Sequence, residues 1–100
     1  MLAEWKSSEL QRKAFDATYA WDWHVTAKKV ANGQGNATAF YEYYAEHESA
    51  WPRQAMRLTY IENHDSNAWE GTMRENFGPA LEAFTALSFA GEGISMLHNG

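Results

Sequence analysis

The stretch that most restricts this chain is its middle, where Leu58-Thr59-Tyr60-Ile61 runs into Glu62-Asn63-His64-Asp65. Thr, Tyr and Ile favour the pleated strand, and a short apolar run that stops at a polar cluster reads as a buried strand ending at a site. In parallel α/β folds, chemistry collects at the C-terminal mouths of the strands. Asn63, His64 and Asp65 stand at such a mouth. Taken alone, the triplet followed by Ser66-Asn67 also reads as a turn, because Asn, Asp and Ser bond their own backbone.

The rest of the chain alternates in character. Met1-Leu2-Ala3 is apolar and stops at Glu4, again a strand ending in a carboxylate, with an exposed terminal Glu as the plainer alternative. Ser7 to Lys13 suits a short helix capped by Ser7 or Ser8. Ala14 to Tyr19 reads as a strand, and Tyr19, Trp21 and Trp23 either line the rim of a cleft or simply pack over it. Trp23, Ala27, Val30 and Ala31 recur at helical spacing, with Asp22 as candidate N-cap and Gly33 as candidate C′ residue. A second helix is expected from Asn36 or Thr38 to about Ser49. Phe40, Tyr43, Tyr44 and His47 form its inner face, and Glu42, Glu46 and Glu48 its solvated one. Pro52 ends it, since proline disfavours helix in the residue before it.

Arg57 begins the central strand. After the polar cluster, Ser66 to Gly71 is expected to be an irregular loop. Thr72-Met73-Arg74-Glu75 has the spacing of a capping box. Gly78 breaks that helix and Pro79 suits the first position of the next. Leu81, Phe84, Leu87 and Ser88 face inward there, and Gly91 stops it. Ile94 to Leu97 is the last strand. The order β-α-β-α-β-α-β argues an α/β fold with parallel strands.

Composition narrows the function. Thirteen acidic against eight basic residues give a net charge of −5, which disfavours nucleic acid as a partner. No run approaches the ~18 apolar residues of a membrane span, so no membrane partner is expected. The absence of Cys excludes thiolate chemistry and disulfides. Nothing in the chain assigns a compartment.

Asn63-His64-Asp65 after an apolar strand, then a polar stretch, a helix and an apolar strand ending in Leu97-His98-Asn99-Gly100, resembles the alpha-amylase family of glycoside hydrolases (family 13). In that family the His-Asp pair ends strand seven of a TIM barrel, and the Asn-Gly landmark ends strand eight. Ala3-Glu4-Trp5 is similar to the end of its strand five. A barrel of ~250 residues divides into units of ~31. Glu4 to Asp65 covers about two such units and Asp65 to Gly100 about one.

The resemblance implies a partial (β/α)₈ barrel spanning residues 1–100, about its last four βα units, with helices outside and no second domain. It implies a fragment of a retaining glycosidase acting on α-glucosidic bonds of starch-like or maltodextrin-like glucans. Glu4 would be the acid/base and Asp65 the transition-state stabiliser. His64 and Asn63 would serve substrate binding, Asn63 by supporting the loop. The nucleophile would be an Asp on strand four, before Met1, so the fragment alone is expected to be inactive. An open arc of four strands is expected to fold loosely by itself. No cofactor is identifiable, although calcium occurs in the family.

The chain departs from the family pattern in places. Ala68 stands where many members have Arg, and Glu92-Gly93-Ile94-Ser95 replaces Pro-Gly-x-Pro before strand eight. Two other readings stand beside the glycosidase. One is a non-catalytic carbohydrate-binding module that uses the aromatic residues. The other is a metal pair at His64-Asp65, which would need further ligands at short spacing that His24, His47 and His98 do not supply.

Overall fold

The computed structural model describes residues 1–99, so the terminal Gly100 of the Asn-Gly landmark lies outside it. Four strands form one sheet in the order β1-β2-β3-β4, and every pairing is parallel. They are β1 (Leu2–Ala3), β2 (Ala17–Tyr19), β3 (Met56–Tyr60) and β4 (Ile94–Met96). The connections carry α1 (Ser8–Lys13), α2 (Trp21–Ala31), α3 (Thr38–Ala50), α4 (His64–Trp69), α5 (Met73–Phe77) and α6 (Leu81–Ala90). A single 3₁₀ turn, Gly78–Ala80, joins the last two. Among the described residues no helix is long and apolar enough to cross a membrane.

Alternation along β3 separates two cores. Leu58 and Tyr60 join Tyr19, Trp21, Ile94 and Met96 on one face. The helices pack a second core of Ala20, Trp23, Ala27, Tyr43, Ile61 and Phe77, with Phe40, Leu81, Phe84 and Leu87 around it. Between them, polar side chains tie helices to the sheet. The Thr59 and Ser95 hydroxyls both donate to the Ser88 carbonyl of α6, at 2.9 and 2.8 Å. The Gln11 amide of α1 donates to Met56 O and accepts from Met56 N–H, at 2.9 and 3.0 Å.

Several boundaries differ from the sequence reading, each for a local reason. β2 begins at Ala17 rather than Ala14, because Ala14 closes α1 and its N–H bonds Leu10 O. α2 begins at Trp21 with Ala20 as its cap, so Asp22 is not the N-cap. Its carboxylate instead pairs with the buried Arg57 guanidinium, which also lies 4.0 Å from the Trp51 ring centre. Trp23 is no rim residue but the buried centre of the helix-side core, with no exposed surface. Pro79 sits in the 3₁₀ turn before α6 rather than at its first position. Most of the loop expected from Ser66 to Gly71 belongs instead to the helix α4, which starts at His64 and ends at Trp69.

Gly93 decides whether β4 can reach the sheet. Its φ is +113°, and a Cβ there would lie 2.3 Å from the Arg57 carbonyl oxygen. Gly93→Ala combines left-handed strain with a clash against backbone that cannot rotate away. We expect a loss of about 3 kcal/mol or more, read as a lowered denaturant midpoint; an unchanged midpoint would contradict the close approach.

His24 offers a test of packing by pH. Its ring is buried, stacks on Tyr60 at 4.7 Å and meets Phe77 edge-on at 5.8 Å. Burial pushes its pKa below the ordinary 6.5, although the Tyr60 carbonyl and the Glu70 carboxylate oppose the shift and Lys28 adds to it. Well above pH 6.5 the residue is neutral in both folded and unfolded states. Below it the unfolded chain takes up a proton that the folded one resists, so stability falls as pH falls. The thermal midpoint should therefore drop on acidification from pH 6.5, and His24→Asn should flatten that slope.

Candidate active site

Because all four strands run the same way, their C-terminal ends share one side of the sheet. Glu4 follows β1 directly and His64 opens α4 four residues beyond β3. β1 and β3 are not neighbours, since β2 lies between them. Even so, His64 Nε2 lies 3.0 Å from Glu4 Oε1 and 3.5 Å from Asp65 Oδ1. One donor atom from each of the three residues fits within 4.8 Å of the others. The group is open to solvent: the side chains of Glu4, His64 and Asp65 are 59%, 56% and 44% exposed.

What holds His64 and Asp65 there is a helix cap. Asn63 Oδ1 accepts from Ser66 N–H at 2.7 Å, and Ser66 Oγ accepts from Asn63 N–H at 2.8 Å. Both residues are buried, Asn63 completely. The residue types that suggest a turn here start a helix instead, because an extended Asn with a partner three residues on satisfies the first free N–H groups. Asn63 therefore does not face the mouth; it positions the two residues that do.

Tyr19 lies beneath the group. Its hydroxyl pKa is pushed up, first by burial and then by the negative charges of Glu4 and Asp65. It stacks on Trp21 at 5.9 Å and meets Tyr60 edge-on at 5.7 Å. Trp5 and Trp69, next to Glu4 and at the end of α4, are 62% and 85% exposed. Asn99 is also exposed, three residues past β4.

A second acid–imidazole pair escaped the sequence reading. His98 Nδ1 lies 3.8 Å from Glu62 Oε1, and both side chains are largely covered. The pairing of Tyr60 with Met96 accounts for it, because Glu62 and His98 each stand two residues past the ends of these neighbouring strands. The signal was present as two equal offsets, but the register that aligns them is a property of the sheet.

No protein-family model matches the chain, and no curated protein matches it. Solved structures do. An alpha-amylase from Lactobacillus plantarum superposes with a TM-score of 0.75 at 26% identity, over 96% of this chain and 22% of that one. A noncanonic maltogenic alpha-amylase from Thermotoga neapolitana gives 0.78 at 20% identity, over 99% and 23%. The chain thus spans less than a quarter of either. Its architecture is that of an α/β partial TIM barrel of the alpha-amylase type, four parallel strands with their helices.

The cap can be tested directly. Asn63→Ala should cost about 1 kcal/mol, the usual loss for a helix N-cap, and speed amide exchange at Ser66. Asn63→Asp, which keeps an acceptor, should recover most of the stability. Equal stability of all three forms in urea would mean that the cap does not hold α4.

Proposed function

We propose that the chain carries part of the catalytic centre of a retaining glycosidase acting on α-glucosidic bonds of starch-like or maltodextrin-like glucans. The observation that carries this reading is the convergence of Glu4, His64 and Asp65 from β1 and the start of α4 at one open strand mouth. Glycoside cleavage needs a proton for the leaving oxygen and negative charge near an oxocarbenium-like centre. Glu4 supplies the proton. Asp65 supplies the charge, which favours the transition state over the neutral ground state. His64, between them, orients both carboxylates and donates to a sugar hydroxyl when one displaces a carboxylate.

A retaining site also needs a nucleophilic carboxylate about 5 Å from the acid/base. Asp16 stands before β2, at the end of the sheet away from the mouth, and Asp22 pairs with Arg57. The nucleophile is assigned to a strand of the complete barrel outside these 100 residues, so the chain alone should not turn over maltodextrin. Exposed Trp5 and Trp69 also suit a binding module without chemistry. Glu4 separates the two readings, since binding alone does not require an acid there.

Within the complete barrel, Asp65→Asn should lower kcat on maltodextrin by roughly 10²–10³, the usual effect of removing one preorganised stabilising group. Glu4→Gln should be comparably severe on maltodextrin but milder on an aryl glucoside whose leaving group needs no proton. Near-normal maltodextrin turnover by Glu4→Gln would remove Glu4 as the acid and favour the binding module.

A further inference from the structure

The sequence offers no metal motif, because Glu4 is far in the chain from the adjacent His64 and Asp65. The geometry points to Glu4, His64 and Asp65 as a binding site for a borderline-soft divalent cation, with zinc the best match. One imidazole nitrogen and two carboxylate oxygens are a donor set that zinc accepts, with bonds of about 2.0–2.2 Å. In a tetrahedron, bonds of that length put the donor atoms about 3.4 Å apart. His64 Nε2 already stands 3.0 Å from Glu4 Oε1 and 3.5 Å from Asp65 Oδ1. The remaining edge, no longer than 4.8 Å, closes by a rotation of either exposed carboxylate.

Charge and access agree with the geometry. Two carboxylates and a neutral imidazole balance a dication. The same three groups without it hold two like charges at close range. Three protein ligands leave the fourth position to water, and the open mouth provides the path in. The Asn63–Ser66 cap fixes two of the three donors before any ion arrives. Magnesium fits poorly, since it demands oxygen ligands in octahedral geometry and gives up its waters reluctantly.

The donor geometry carries this site whether or not the same carboxylates act on a sugar. Its consequence for turnover does rest on the glycosidase reading: zinc would occupy the Glu4 oxygen that must deliver the proton, and so inhibit.

The test is calorimetric titration of the complete barrel with zinc chloride and, separately, magnesium chloride in a non-chelating buffer near neutral pH. One zinc per chain should bind, with magnesium much weaker. Glu4→Gln, Asp65→Asn and His64→Ala should each weaken zinc at least about tenfold, since loss of even an outer-shell partner costs about that much. His98→Gln should leave zinc affinity unchanged. Imidazole NMR signals read the same event independently: zinc should move His64 alone among the four histidines of residues 1–100. Unaltered zinc affinity in Glu4→Gln and Asp65→Asn, movement of another histidine instead, or magnesium binding as tight as zinc would each overturn the site. Zinc binding is read without substrate, so its failure is separate from any failure of the kinetic experiment.

Discussion

Parallel pairing without a break from β1 to β4 is the constraint on which the other features of this chain depend. It sends every strand's C-terminal end to the same side and forces each return to cross by way of helices. It also makes close approach between backbones unavoidable at the start of β4, where only a residue without a Cβ can lie against the Arg57 carbonyl. Given that ladder, Glu4 needs no long-range instruction to find Asp65. Each simply follows the end of its own strand.

The helix layer is fixed to the ladder by few but specific bonds. A fully apolar interface would let α6 slide, whereas one carbonyl, that of Ser88, receives hydroxyls from both β3 and β4. Arg57 works similarly on α2 and α3. Its guanidinium pairs with Asp22 and lies over Trp51, so a buried charge is matched by a carboxylate and a ring face rather than left bare. Burial also raises the hydroxyl pKa values of Tyr43 and Tyr60 and keeps both neutral. Tyr43 belongs to the helix-side core and Tyr60 to the core on the other face of β3, so neutral aromatic rings pack both faces of the sheet.

How much of this was legible depends on the range of the interaction. β3 and the Thr72–Glu75 capping box are local, and the residues announce them. The inward residues of α6 follow from helical spacing. Residues 66–69 are helix where a loop is expected, because Asn, Asp and Ser signal a turn and a helix start with equal force. The deciding bond, Ser66 Oγ to Asn63 N–H, is visible only in three dimensions. The placement of Glu4 beside Asp65 was anticipated through resemblance and unit spacing, not from the five terminal residues. The Glu62–His98 pair and the three-donor cluster depend on register between strands, which a single sequence does not display.

The exposure of the Glu4–His64–Asp65 group argues about its purpose. Ion pairs open to water stabilise a fold by at most about 1 kcal/mol, and often by nothing measurable. Here three such groups, more than 40% exposed each, are brought from β1 and the start of α4, across an intervening strand. Two carboxylates held this close repel each other, and what lies between them here is the His64 imidazole, in reach of both. Stability is better served by separating them, as the structure does with Asp22, which it pairs with Arg57. Their convergence is therefore not accounted for by fold stability, and it is the observation on which both the proposed glycosidase site and the proposed zinc site rest.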